Sequence, residues 1–153
     1  MSGNGFSMCS GILSLIFSNV EKGKTILEFG SGDGTKKLVD HGYTVYSIEE
    51  NKDFCDLHHD NYLHCPVIGE SYETSCYDID KVLEFVKDIN YDVILADGPA
   101  HGARHNLIEL FSHLNTNVTI FVDDIERESD RMFFDAIKVG REFEDYITYG
   151  IIK

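Results

Sequence analysis

Three glycines alternate with other residues in the run Glu28-Phe29-Gly30-Ser31-Gly32-Asp33-Gly34-Thr35. The run follows a short apolar segment and precedes one with helical spacing, so its glycines lie at a tight turn where a ligand can approach the backbone. A dinucleotide-binding loop has the spacing G-x-G-x-x-G and would need glycine at position 35, which holds Thr35. We therefore predict a loop for a cofactor other than a dinucleotide. Its predicted contacts are Glu28, Gly30, Ser31, Gly32, Gly34 and Thr35.

A second candidate position for cofactor binding is Glu49, which lies nineteen residues after Gly30 and directly after a predicted strand. A carboxylate at this place can accept hydrogen bonds from both hydroxyls of a ribose. Glu50 is its neighbour and the alternative for the same role. A glycine-rich turn beside a solvated acidic loop would also account for these residues, but strand, helix and acid in register favour a cofactor site.

Two later apolar segments each end in aspartates: Asp97 follows one, and Asp123 with Asp124 follows the next. In a parallel sheet these loops meet at one edge, so the three carboxylates should converge beside the cofactor and repel one another. A hard divalent cation, Mg²⁺ or Mn²⁺, would relieve that repulsion. The alternative is that Asp97 caps a helix and one of the pair accepts hydrogen bonds from backbone amides.

Basic residues near these acids are candidates for binding the substrate, or acceptor, and for removing a proton from it. His101 lies four residues after Asp97, and its neutral imidazole could take a proton from an acceptor hydroxyl, or simply shape the pocket. Arg104 and Arg127 could bind an acidic group of the acceptor or neutralise the aspartates. The predicted catalytic residues are Asp97, His101 and Asp124, and Asp97 is also predicted to contact the cofactor.

The elements that position these residues alternate between strands and helices. This order predicts an α/β fold with a Rossmann-like, doubly wound, mostly parallel sheet and a short antiparallel closing strand, in one domain over 1–153. Residues 1–22 are predicted to form an N-terminal helix and lid segment. The predicted strands are 25–29, 43–48, 62–67, 93–96, 118–122, 143–148 and 150–152, and the other predicted helices are 36–41, 51–59, 82–89, 107–114 and 132–139.

Composition excludes several classes of partner. The formal net charge of −14, with no cluster of basic residues, disfavours nucleic acid and anionic membrane surfaces. Four cysteines without a C-x-x-C pair indicate reduced thiols, and no segment resembles a secretion signal or a bilayer-spanning helix, so we predict a cytoplasmic protein. Apolar residues make up 42% of the chain, enough for a globular core.

The glycine loop and the acid before it, in the form E-x-G-x-G-x-G, resemble the class I S-adenosylmethionine (SAM)-dependent methyltransferases. SAM carries an ammonium group rather than a pyrophosphate, which suits a carboxylate such as Glu28. The segments Asp97-Gly98-Pro99 and Asp123-Asp124-x-x-Arg127, with Arg104, resemble small bacterial and viral methyltransferases and plant glucuronoxylan O-methyltransferases. Cys65-Pro66-Val67 and Cys76-Tyr77-Asp78 are similar to a further stretch of that group, and the resemblance covers about residues 25 to 127.

The aspartates also resemble the ligand pattern of Mg²⁺-dependent sugar and catechol O-methyltransferases. This sequence departs from that pattern at Pro99, where the sugar enzymes often have another aspartate, and at Asp124, where the catechol enzymes have asparagine. The resemblance implies transfer of a methyl group from SAM to a hydroxyl of a small polar acceptor, a sugar or glycan. The alternative is a non-catalytic SAM-binding module with a regulatory or partner-binding role.

A chain of this length leaves little room for a separate substrate domain. The acceptor site is expected to use the N-terminal segment and loops near 68–76 and 99–104. It would then be an open pocket, or one completed by another subunit of a homo-oligomer.

Overall fold

Strands and helices alternate along the chain in a computed structural model that describes residues 10–71, 73–99 and 103–153. Short 3₁₀ segments at Lys52–Phe54 and Arg104–Asn106 interrupt this order. The helices are α1 (Ser10–Asn19), α2 (Asp33–His41), α3 (Ile79–Val86), α4 (Leu107–Phe111) and α5 (Glu128–Ile137). The strands are β1 (Thr25–Phe29), β2 (Thr44–Glu49), β3 (Tyr62–His64), β4 (Val67–Ile68), β5 (Cys76–Tyr77), β6 (Val93–Ala96), β7 (Thr119–Asp123), β8 (Phe143–Asp145) and β9 (Tyr149–Ile152).

Seven strands form the main sheet in the order β3-β2-β1-β6-β7-β9-β8. β9 is antiparallel to both of its neighbours, and the pairs from β3 to β7 are parallel. The predicted α/β fold, with its mostly parallel sheet and antiparallel closing strand, is confirmed. Because β1, β6 and β7 are adjacent, the loops after them meet at one edge of the sheet.

Helices cover both faces of the sheet. The larger core packs α3, α4 and α5 against one face, with side chains such as Val82, Leu110 and Phe133. The second core packs α1 and α2 against the other face, with Ile12 and Leu38. Strands covered on both faces read as continuous apolar runs, and all four residues of β6 are buried.

The first described helix belongs to the predicted lid segment. α1 buries Ile12, Leu13 and Ile16 in the second core. The lid role of residues 1–22 stays a prediction, since residues 1–9 lie outside the described part of the chain. Among the described helices, none has the length and apolarity needed to cross a bilayer.

Several predicted elements were wrong in extent: the helices predicted over 82–89, 107–114 and 132–139 are Ile79–Val86, Leu107–Phe111 and Glu128–Ile137. Three further elements were also wrong in extent. The helix predicted over 51–59 is only a 3₁₀ turn: the Asn51 side chain accepts a hydrogen bond from the Asp53 amide at 3.0 Å, and Asp56 has a left-handed φ of 59°. The strand predicted over 62–67 ends at His64; Val67–Ile68 instead pairs antiparallel with β5 in a small second sheet. The strand predicted over 143–148 ends at Asp145, before a turn in which Ile147 has φ 77°.

Candidate functional site

Gly30 begins the loop after β1 and brings two strand ends together. Its φ of +89° favours glycine, and a Cβ there would lie 2.8 Å from the carbonyl oxygen of Asp97. A Cβ on Gly98 would likewise lie 2.9 Å from the Gly30 Cα. The first glycine of the motif is therefore required by the close packing of β1 against β6, which brings the glycine loop to the acidic loop.

Thr35 holds the glycine loop in shape. Its hydroxyl oxygen accepts a hydrogen bond from the Gly32 amide at 3.1 Å, and its own amide donates to the Gly32 carbonyl at 3.0 Å. The Thr35 hydroxyl donates to Glu28 Oε1 at 2.6 Å. The residue that breaks the dinucleotide pattern is thus the one that ties this loop to β1.

Glu28 is fully buried at the centre of a hydrogen-bond network. Besides Thr35, its Oε1 accepts from Ser47 Oγ at 2.6 Å, and Ser47 Oγ lies 2.7 Å from His59 Nε2. His59 Nδ1 accepts from the Asn61 amide at 2.9 Å, so the neutral ring carries its proton on Nε2 and donates to Ser47. Burial lowers the pKa of His59 to about 4, which keeps the ring neutral.

The other side of the network runs through Ser31. The Ser31 hydroxyl lies 2.9 Å from Thr35 Oγ1 and 2.8 Å from the Tyr62 hydroxyl. The Tyr62 ring stacks on the His59 ring. One consistent set of donors runs from Tyr62 through Ser31 and Thr35 to Glu28. Sequence analysis missed Ser47, His59 and Tyr62, because polar residues in or after a short strand carry no signal of their own. In the described structure Glu28 acts on the loop; its predicted contact with an ammonium group stays a prediction.

Burial raises the pKa of Glu28 to about 7, although the hydroxyl groups that donate hydrogen bonds to its carboxyl group lower the pKa and offset part of this effect. Because the native state then binds a proton that the unfolded chain releases between about pH 4.5 and 7, this group lowers the unfolding free energy as pH rises through that window. The effect is on the order of 3 kcal/mol at most. We expect urea unfolding to show a shallower decline in stability between about pH 5 and 8 for Glu28→Gln than for the wild type. Glu21→Gln, at an exposed position, is the control, and equal slopes for the wild type and Glu28→Gln would contradict the prediction.

Glu49 lies at the end of β2, facing the glycine loop. It is 4% exposed, and its two oxygens accept from the Ser31 amide at 2.9 Å and the Asn51 amide at 2.6 Å. Burial raises its pKa, and the two amides partly offset that effect. Each oxygen keeps a further lone pair, so the contact with a ribose diol stays a prediction that this position allows. Glu50 is half-buried next to it.

The three aspartates converge as expected from the order of the strands. Oxygens of Asp97, Asp123 and Asp124 lie within 4.8 Å of one another. Asp97 caps no described helix, whereas Asp123 Oδ1 accepts from the Asp124 amide at 2.9 Å, as the alternative for one of the pair proposed. Burial and the charge of Asp123 raise the pKa of Asp97 well above its usual range. Three oxygen ligands at this spacing form a donor set that fits a hard divalent cation.

The arginines compensate only part of this charge. Arg104 is 2% exposed; its Nη1 lies 2.5 Å from Asp130 Oδ1 and donates to the Asp123 carbonyl at 2.9 Å. Nη1 of Arg104 and Nη1 of Arg127 lie 3.9 Å and 3.6 Å from Asp124 Oδ2. Among the described residues, four carboxyl groups thus face two guanidinium groups. Sequence analysis did not find Asp130, since nothing in the spacing of α5 marks one of its acids as the partner of Arg104.

Next to this cluster lies a cavity of about 440 Å³ with a polar lining. The His105 amide donates to Ser129 Oγ at 2.9 Å, and Ser129 Oγ lies 2.8 Å from His105 Nδ1. These two contacts hold His105 against Ser129, which lies in the first turn of α5. The predicted base His101 lies outside the described residues. The cavity is lined by Glu73, His105, Arg127, Glu128, Ser129, Asp130 and Met132.

Comparison with known proteins identifies the fold. No protein-family model matches the sequence, and no curated protein matches it significantly. Among solved structures, a TehB-like SAM-dependent methyltransferase from Corynebacterium glutamicum superposes with a TM-score of 0.52 at 15% identity, over 93% of this chain and 85% of that one. The chain has the fold of the SAM-dependent methyltransferases.

A second solved structure agrees with this fold. The MycE methyltransferase of the mycinamycin biosynthetic pathway, in complex with Mg and SAH, superposes with a TM-score of 0.52 at 12% identity. The match covers 94% of this chain and 44% of that one. In this methyltransferase fold the glycine loop, Glu49 and the three aspartates lie at the carboxyl ends of the strands, where open α/β sheets bind their ligands.

Proposed function

We propose that this chain is a SAM-dependent methyltransferase that acts on a hydroxyl of a small polar acceptor, with a sugar or glycan preferred. The observation that carries the proposal is the juxtaposition of two loops: the backbone of Gly30 packs directly on that of Asp97, so the cofactor loop and the acidic cluster form one site. Bound SAM would supply an electrophilic methyl group on its sulfonium sulfur.

The cofactor side of the site is held rigidly by this chain. Thr35 and Glu28 fix the turn, and Glu49 fixes the Ser31 amide, so the backbone of the loop is preorganised for a ligand. Gly32 is half-buried in an extended conformation and has no side chain, so a ligand would lie directly against its backbone. Glu49 would accept hydrogen bonds from the ribose hydroxyls with its remaining lone pairs.

The acidic cluster would handle the acceptor hydroxyl. Asp97, Asp123 and Asp124 would hold a Mg²⁺ or Mn²⁺ ion, which lowers the pKa of a hydroxyl that it binds. Asp97, Asp124 or His101 would accept the proton that the hydroxyl releases. Because charge is neutralised in this type of transfer, alignment of the acceptor and removal of its proton are the main tasks of the protein.

The polar cavity beside α5 supports the choice of a polar acceptor. Its lining combines carboxylates, Arg127, Ser129 and His105, groups that can donate to and accept from several hydroxyls at once. Glu73 belongs to the loop near 68–76 that was expected to contribute to the acceptor site. A sugar presents donors and acceptors in the mixture that such a lining can pair.

Ligand binding tests the proposal directly. We expect SAM and its demethylated product S-adenosylhomocysteine (SAH) to raise the melting temperature and to give a saturable calorimetric isotherm, whereas NAD⁺ gives neither. Binding of NAD⁺ but not of SAM would overturn the proposal. If SAM binds but no methyl group from labelled SAM reaches any of a panel of sugars and glycans, the chain is a SAM-binding module rather than the proposed enzyme.

A further inference from the structure

The hydroxyl of Tyr77 reaches the junction between the glycine loop and the acidic loop. Tyr77 lies on β5 and is 1% exposed, with its ring centroid 5.9 Å from that of Phe29. A Cβ on Gly98 would lie 2.7 Å from the Tyr77 hydroxyl and 2.9 Å from the Gly30 Cα. The phenol therefore packs against Gly98 at the place where the ends of β1 and β6 meet.

Among the residues that the structure describes, this hydroxyl has no hydrogen-bond partner, although it is fully buried. A buried polar group left unpaired costs about 1–3 kcal/mol, so such groups in native proteins call for a specific explanation. The other buried hydroxyls around the site are paired: Thr35 and Ser47 both donate to Glu28. Burial and the charges of Glu49 and Glu50 raise the pKa of Tyr77 well above its usual range, so the phenol keeps its proton and remains a donor.

We propose that Tyr77 binds the cofactor, donating its phenolic hydrogen to an acceptor atom of bound SAM or SAH. This inference rests on the proposed function, because it takes SAM as the ligand of the glycine loop. Gly98, the second residue after β6, has no side chain that would separate the phenol from the backbone of Gly30.

The test compares Tyr77→Phe with Tyr43→Phe, using SAH as the probe. Tyr43 is the matched control: it is also buried, but its hydroxyl donates to the Val20 carbonyl at 2.7 Å. We expect Tyr77→Phe to leave the melting temperature of the ligand-free protein unchanged or higher, since it removes an unpaired polar atom. Its calorimetric Kd for SAH should be about three- to tenfold weaker. Tyr43→Phe should lower the melting temperature and leave the Kd unchanged.

The two measurements separate a binding role from a structural one. If Tyr77→Phe lowers the melting temperature of the ligand-free protein, or leaves the Kd for SAH unchanged, the proposal for Tyr77 is overturned. If the wild type itself binds neither SAM nor SAH, the proposed function is overturned and the role of Tyr77 with it. Wild-type binding with an unaltered Kd in Tyr77→Phe overturns the role of Tyr77 alone.

Discussion

Gly32→Val is expected to abolish binding of SAM and SAH while the protein stays folded. Gly32 has φ −175°, an extended conformation that valine also adopts, so the substitution introduces no backbone strain. The residue is half-buried on the loop, and its amide and carbonyl are bonded to Thr35, which fixes where the new side chain would lie. The added isopropyl group would occupy space that the ligand needs, and we expect a loss of affinity on the order of 100-fold or more.

Calorimetry with SAH measures this loss, and urea unfolding with far-ultraviolet circular dichroism checks the fold. Gly30→Val is the contrasting variant, because its Cβ would lie 2.8 Å from the Asp97 carbonyl oxygen at a φ of +89°. It should lose stability, whereas Gly32→Val should not. A folded Gly32→Val protein with wild-type affinity for SAH would place the cofactor elsewhere.

The parts of the fold that could be predicted from the sequence are the segments in which apolar residues recur with helical spacing or form a continuous run. β1 and β6 are such runs, and both are buried on two faces of the sheet. The helix prediction for 51–59 was wrong because the Asn51 side chain accepts a hydrogen bond from the backbone in a turn that competes with the helix. The left-handed backbone of Asp56 then prevents a helix from continuing through it. The small sheet of β4 and β5 was missed because two-residue strands have no measurable alternation.

For the candidate site, the sequence predicted which residues converge but not their side-chain partners. Strand order alone brings Asp97 to Asp123 and Asp124, so their convergence follows from the alternation of strands and helices. The partners of these residues do not follow from it. Arg104 pairs with Asp130, and Glu28 bonds to Ser47, through contacts between elements that are distant in sequence. Such pairings depend on where side chains lie in the packed fold, and a short sequence motif does not predict those positions.

Activity is expected to vanish with EDTA and to return with Mg²⁺ or Mn²⁺, because three carboxylates lie within 4.8 Å of one another with incomplete compensation by arginine. The ion should also raise the melting temperature, since a ligand that binds only the native state stabilises it. At a concentration 100 times its Kd the gain is about 2.7 kcal/mol, or roughly 5–10 °C for a domain of this size. Differential scanning calorimetry of the EDTA-treated protein, with and without Mg²⁺, measures that rise.

Asp124→Asn should reduce the response to Mg²⁺ while binding of SAH survives, because the proposed cofactor site is formed mainly by the loops after β1 and β2. Asp40→Asn is the matched control: it removes an exposed acid that pairs with Lys36 at 2.6 Å, on the helix after the glycine loop. This variant should keep the full response. The comparison separates a specific loss of a metal ligand from the general effect of removing one negative charge from an acidic protein.

Arg104 and Arg127 offer the competing explanation, since both lie within 4 Å of Asp124 Oδ2. If they neutralise the cluster, no ion is needed and a base such as His101 must accept the proton alone. The structure weakens that explanation because the shortest carboxylate contact of Arg104 is with Asp130, at 2.5 Å. A crystal grown in millimolar Mg²⁺, in which the aspartates contact arginine and no metal, together with full activity in EDTA, would establish the arginine arrangement and defeat the metal hypothesis.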